Sequence, residues 1–208
     1  MPEIRSPLAA RYEIGHYPPG TEPGVTFRAI TGWDLVQAAC WHGRDGDLHA
    51  AVAGALGVTP PQAPNHCATD DEGDIEIMTV APARLWCIAP AGDARLDALA
   101  TAVDPGTGCT TALGHSHVRL RIAGPATRHL LAQEIALDLA PAAFPAGRIA
   151  RTAMHHVPVL LQSVEAEGDG VFDLYLPHTW AASSWEYLLD LATAWGCAIE
   201  PPTARGPA

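Results

Sequence analysis

The sequence contains no lysine: all 12 basic residues are arginine, set against 23 carboxylates for a formal charge of -11. Schiff-base chemistry on a lysine is therefore excluded. A phosphate-tracking surface is excluded too, because it needs a concentrated basic patch and these arginines are scattered among nearly twice as many acids. No nucleic-acid partner is expected. Cysteine is sparse. Cys40, Cys67, Cys87, Cys109 and Cys197 are odd in number and never spaced as Cys-x-x-Cys, which argues against a disulfide framework or a zinc knuckle. No uninterrupted apolar run approaches the ~20 residues of a membrane span, and the start Met1-Pro2-Glu3-Ile4-Arg5 has no signal-peptide core. The expectation is a cytoplasmic protein without membrane contact.

Nucleotide and nucleophile motifs are missing as well. Gly106-Thr107-Gly108 lacks the third glycine of a dinucleotide fingerprint and the Gly-Lys-Ser/Thr of a Walker loop. Ser183-Ser184 has no Gly-x-Ser-x-Gly elbow around it and reads as a helix cap. What the chain does have is 208 residues, 48% of them hydrophobic and only 17% charged. That length buries a real core, and the low charge leaves an apolar surface that hints at a partner.

Residues 1–24 carry five prolines and three glycines and read as an extended arm. From Val25 to Trp41, β-branched and aromatic residues indicate a strand or strand pair. Asp47 is the expected cap of a helix whose Leu48, Val52 and Leu56 recur every fourth residue, ending at Gly57. Strands are expected at 75–80 and 84–88, and Asp93 caps a helix buried through Leu96, Leu99, Ala100 and Val103. Val118, Leu120 and Ile122 alternate with Arg119, Arg121 and Ala123 in a strand with one apolar and one polar face. Gly124 and Pro125 stop it and open a helix buried through Leu130, Leu131 and Ile135. Ile149–Val164 reads as one long strand, 165–170 as a hairpin turn, and Phe172, Leu174 and Leu176 as the apolar face of a further strand. The last helix buries Trp185, Leu188, Leu189, Ala192 and Trp195 and stops at Gly196.

This order implies an α+β fold of two successive split βαβ, ferredoxin-like units, each an antiparallel sheet covered by helices. The expected divisions are an arm at 1–24, a first unit at 25–104, a second at 105–197 and a tail at 198–208.

Ten histidines require metal and acid–base roles to be weighed singly. His155 and His156 are adjacent on an expected strand, where neighbours point to opposite faces and cannot share an ion. His115 and His117 can share a face, but no Asp, Glu or Cys nearby completes a ligand set. His66-Cys67 and Cys40-Trp41-His42 lack any surrounding nucleophile motif. No catalytic, cofactor-binding or metal-ligating residue is assigned. Arg119 and Arg121 are the candidates for ligand or partner contact: they either grip a foreign carboxylate in bidentate fashion or, the favoured alternative, cross-pair with Asp173 or another acid on the same sheet.

The run His115-Ser116-His117-Val118-Arg119-Leu120-Arg121-Ile122-Ala123-Gly124-Pro125-Ala126, followed by Leu130-Leu131, Leu137-Asp138-Leu139, Pro141, Phe144-Pro145, Gly147-Arg148 and Thr152, resembles the gamma subunit of heterotetrameric sarcosine oxidase. Phe172-Asp173-Leu174-Tyr175-Leu176-Pro177, Ala181-Ala182-Ser183 and Arg84-Leu85-Trp86 extend the resemblance over most of 75–196. It implies a fold like the folate-binding domain of the glycine cleavage T-protein. It also implies alpha, beta and delta subunits as partners in an oxidative N-demethylation, with FAD, FMN, NAD and zinc on those subunits and tetrahydrofolate as co-substrate. A gamma subunit brings no assigned catalytic residue to carry over, and no cofactor is expected on this chain. Complexes that act on other N-methyl amino acids, and a stand-alone folate-binding protein or aminomethyltransferase on the same fold, are the alternatives the resemblance leaves open.

Overall fold

The structure is a computed structural model that describes residues 6–20, 22–165 and 168–204. Met1–Arg5 of the expected arm, residues 166–167 of the expected hairpin turn and residues 205–208 of the expected tail lie outside the described residues. In chain order the elements are β1 (Gly15–Tyr17), β2 (Val25–Thr31), β3 (Trp33–Cys40), α1 (Asp45–Leu56), β4 (Cys67–Thr69), β5 (Glu76–Ala81), β6 (Arg84–Pro90) and α2 (Ala94–Ala102). There follow β7 (Gly108–Ala112), β8 (His117–Ala123), α3 (Thr127–Glu134), β9 (Ile149–Met154), β10 (Val157–Glu165), β11 (Val171–Pro177), α4 (Ala181–Ala192) and β12 (Cys197–Ala204). The fold is α+β and divides into two units, one joining the chain up to Thr31 with Ser116–Thr203, the other comprising Gly32–His115.

The contiguous unit follows the split βαβ plan. Its sheet runs β4-β5-β6-β3-β7, so β3-α1-β5 and β6-α2-β7 are crossovers that place helices on one face. Leu48, Val52 and Leu56 of α1 and Leu96 and Leu99 of α2 pack with Ala38, Ile77, Leu85, Cys87 and Ala89 of the sheet. Each buried leucine, isoleucine or valine among them contributes about 1.5–3 kcal/mol relative to exposure. Asp93 caps α2 as expected, its Oδ1 accepting from Arg95 N at 2.8 Å. The expectation for Asp47 is corrected: α1 begins two residues earlier, and Asp47 lies in its first turn beside the helix dipole, paired with Arg44 at 2.9 Å. Gly57 closes the helix at φ 74°, a left-handed value that a Cβ would strain.

The discontinuous unit uses the same plan with additions. Its sheet runs β1-β12-β2-β8-β11-β10-β9, in which β8-α3-β10 and β11-α4-β12 are the two crossovers and β2 is wedged between β12 and β8. Val25, Phe27, Leu120, Ile122, Leu161, Phe172, Leu174 and Leu176 share one face, and Leu130, Leu131, Trp185, Leu188 and Ala192 of the two helices cover it. The corner after β8 is tight. Gly124 has φ 107°, and a Cβ there would stand 2.8 Å from the carbonyl oxygen of Gly24.

Several sequence expectations differ from this architecture. The unit expected at 25–104 loses its first strand, because Val25–Thr31 bonds to β8 with Phe27 opposite Ile122, while Trp33–Cys40, one glycine later, bonds to β6 and β7. The unit expected at 105–197 loses Gly108–Ala112 for the same reason, since Thr110 lies opposite Ala38; the division falls at 115/116 rather than 104–109. The expected tail at 198–208 is a strand as far as Ala204, with Cys197 and Ile199 in the core and Tyr17 and Gly15 opposite them.

The expected arm is tied to its own unit. Leu8 is buried, Trp185 Nε1 donates to Arg11 O at 3.0 Å, and Tyr12 donates to Glu200 O at 2.8 Å. The strand expected at Ile149–Val164 is a hairpin: β9 and β10 pair up to Met154 opposite Val157, and His155 (φ 45°) and His156 (φ 71°) form the two-residue turn, which is type I′ by its paired positive φ values. Ser183-Ser184 is not the cap of α4. Trp180 holds that position, Ser183 Oγ donates to its carbonyl at 3.1 Å, and Ser184 is buried within the helix.

Candidate functional site

The alternation that buries Leu120, Ile122, Phe172 and Leu174 forces Arg119, Arg121, Asp173 and Tyr175 onto the other face of the seven-stranded sheet. Antiparallel register sets Arg121 directly opposite Asp173, and Arg119 opposite Tyr175 and therefore diagonal to the carboxylate. Both guanidinium groups reach it. Arg119 donates from Nε at 2.8 Å and Nη2 at 2.6 Å to Asp173 Oδ2. Arg121 donates from Nε to Oδ1 at 2.8 Å and from Nη2 to Oδ2 at 2.9 Å. The Arg119 guanidinium also sits 5.3 Å from the centre of the Tyr175 ring, and the Tyr175 hydroxyl donates to Gln162 Oε1 at 3.1 Å. At the side of the same row, Arg28 opposite Arg121 is ion-paired with Glu200.

Burial distinguishes the two candidates. The side chains of Arg119 and Asp173 are 3% and 0% exposed, whereas Arg121 keeps 31% of its surface. Burial alone would push the Asp173 carboxyl up, but the adjacent charges and hydrogen bonds of Arg119 and Arg121 outweigh it and hold the group below the usual carboxylate range. Arginine does not deprotonate, so neither partner exchanges protons near neutrality. The cluster is a site of fixed charge, with Arg121 at its solvent-facing side. Acid–base chemistry lies outside its reach.

His117, two residues before Arg119 on β8, shares this face. Its pKa is pushed down to about 4 by burial first and by the Arg151 charge second, and its Nδ1 lies 2.7 Å from Ser116 Oγ. The neutral imidazole is therefore the folded form. The unfolded state takes up a proton near pH 6.5, so stability is complete above that value and falls as the pH drops from about 6.5 towards 4. With partial exposure discounted, up to about 2 kcal/mol is at stake. Urea titrations across that window should show the slope, and His117→Asn should flatten it.

The other sequence candidates do not converge with this cluster. All five cysteines are free; burial pushes the Cys87 thiol up to about 12, which makes it inert. His66 Nδ1 lies 3.0 Å from Pro64 O. Among the described residues no group of three or more His, Cys, Asp or Glu is placed to hold a metal, and no helix is long and apolar enough to cross a membrane. An open cavity of about 420 Å³ in the other unit is lined by Gly57, Val58, Thr69, Asp70, Asp71 and Glu72 among others; its Asp70 is held by Arg95 at 3.6 Å. The sequence reading missed Gln162, a single polar residue in the apolar run Val159-Leu160-Leu161, and it missed the Arg28–Glu200 pair, whose strands lie far apart in the chain.

No protein-family model matches this sequence, and no curated protein matches it. Solved structures do. A chain of the heterotetrameric sarcosine oxidase from Corynebacterium sp. U-96, in complex with pyrrole 2-carboxylate, superposes with a TM-score of 0.77 at 25% identity, covering 92% of this chain and 96% of that one. The glycine cleavage system aminomethyltransferase T from Bartonella henselae shares the fold with a TM-score of 0.54 at 17% identity; the match covers 89% of this chain but 49% of the transferase. The fold expected from the resemblance is thus the fold found.

Proposed function

We propose that this chain is a noncatalytic, gamma-type subunit of a cytoplasmic heterotetrameric sarcosine oxidase. In this reading it stabilises alpha, beta and delta subunits that carry FAD, FMN, NAD and zinc, and they oxidise sarcosine to glycine plus formaldehyde or methylene-tetrahydrofolate. The observation that carries the proposal is the extent of the match: nearly the whole of this chain lies on nearly the whole of a chain from such an oxidase, whereas it spans about half of the aminomethyltransferase. A charge cluster without an exchangeable proton suits a subunit that docks rather than reacts. Arg121, with about a third of its surface exposed to solvent, is the residue we assign to a partner carboxylate, and buried Arg119 is assigned to holding Asp173 in place.

The test is co-expression with two larger flavoprotein subunits of the oxidase type. The expected result is that the chain copurifies with them, that the complex turns over sarcosine faster than other N-methyl amino acids, and that the isolated chain is colourless and inactive. Micromolar binding of tetrahydrofolate by the isolated chain, or turnover of its own, would overturn the proposal in favour of a stand-alone folate protein. Faster turnover of another N-methyl amino acid would keep the subunit role and change the substrate.

A further inference from the structure

We propose that the His155-His156 turn is a chelating site for a borderline divalent transition ion, Cu²⁺, Ni²⁺ or Zn²⁺, with both imidazoles as ligands. On an extended strand the two side chains would diverge. The turn removes that obstacle: with φ of 45° and 71°, both side chains project from the tip of the hairpin, and their ring centres stand 5.7 Å apart with planes inclined by 56°. An ion bound at 2.0–2.1 Å from an imidazole nitrogen lies about 3.2 Å from the ring centre, so two rings on one ion at tetrahedral or somewhat wider angles have centres about 5–6 Å apart. The observed spacing falls in that interval without rearrangement of the backbone.

One ligand is already positioned. The His155 ring lies 4.8 Å from that of Tyr187, tilted by 36°, so the imidazole rests against an aromatic side chain of α4. Both histidines are exposed, and an ion reaches them without any opening of the fold. No third His, Cys, Asp or Glu joins them among the described residues. Water completes the coordination; the spacing suits the tetrahedral arrangement of Zn²⁺ as it stands, whereas Cu²⁺, the maximum of the Irving–Williams order, prefers ligands near 90° and draws the ring centres about 1 Å closer by side-chain rotation.

Substitution by asparagine gives a clean test, because asparagine tolerates positive φ and is favoured in type I′ turns; the change removes the ligand and keeps the hairpin. Calorimetric titration of the full chain with Cu²⁺ and with Zn²⁺ should show one ion per chain. His155→Asn and His156→Asn should each weaken binding by at least about tenfold, the low end of the loss seen when even an outer partner of a metal ligand is removed, and the double variant should abolish it with an unchanged circular dichroism spectrum. His115→Asn should leave it intact. The proposal is overturned if the double variant takes up as much ion as the parent, if either single variant binds as the parent does, or if the loss follows His115→Asn instead.

Discussion

Asp173→Asn should lower the unfolding free energy by about 3–5 kcal/mol, the penalty for stranding a buried charge. The carboxylate is fully buried and accepts from two arginines, one of them buried as well. An amide presents no charge to either guanidinium, and its NH₂ would face their donors. Arg119 cannot escape by losing its proton, so its cation would lose the charge of the carboxylate it is bonded to. Arg121→Ala should cost far less, of the order of 1 kcal/mol, because that side chain is partly solvated and Asp173 keeps its closer partner. Replacing Arg119, Arg121 and Asp173 together by methionine, methionine and leucine should recover much of the loss, because the charges would be removed as a set. Urea unfolding of the four proteins, compared at constant m-value, decides this. If Arg121 docks a partner, Arg121→Ala should also weaken copurification with the flavoprotein subunits far more than it weakens the chain itself.

Trp185→Ala should be comparably severe, costing about 3–5 kcal/mol for a fully buried aromatic, with an outcome specific to this fold. The indole stacks on Tyr12 at 5.2 Å, meets Phe27 edge-on at 5.4 Å and donates to Arg11 O. It is the anchor that turns a proline-rich N-terminal segment into part of the core. Its loss should expose that segment before the unit unfolds as a whole. Trypsin cuts here only after arginine, since no lysine exists, and early cleavage after Arg11 in Trp185→Ala, absent in the parent, is the expected readout. Loss of stability without that early cut would mean that Leu8 and Tyr12 hold the segment unaided.

Periodicity exposed the helices and most strands because each carries its own pattern. Leu48, Val52 and Leu56 in α1, Leu96 and Leu99 in α2, and the alternation around Leu120 and Leu174 are local facts that burial simply follows. Strand partnership is not local. Nothing in Val25-Thr26-Phe27 reveals that it bonds to β8, about ninety residues on, rather than to the strand one glycine away. Cys197-Ala198-Ile199 is too short to be distinguished from a tail until β1 and β2 are seen on either side of it. The hairpin at His155-His156 escaped because two histidines replace the Asn-Gly that usually marks a type I′ turn. At the charge cluster, the polar face of β8 and the candidate partner Asp173 were legible from alternation. The unequal burial of Arg119 and Arg121, which separates the structural role from the docking role proposed above, depends on packing and was not.

The wedging of β2 between β12 and β8 has a consequence for biosynthesis. Gly32–His115 is one unbroken stretch whose strand pairs close among themselves, so it can fold while the remainder is still being translated. Val25–Thr31, made before it, has to wait: its neighbour β8 follows some ninety residues later, and the strand that covers its other edge, β12, comes last of all the described elements. During that interval an apolar strand bearing Val25 and Phe27 leaves the ribosome with unpaired edges, a hazard for mispairing between nascent chains. Slowing or truncating synthesis before Cys197 should therefore harm solubility out of proportion to the few residues removed.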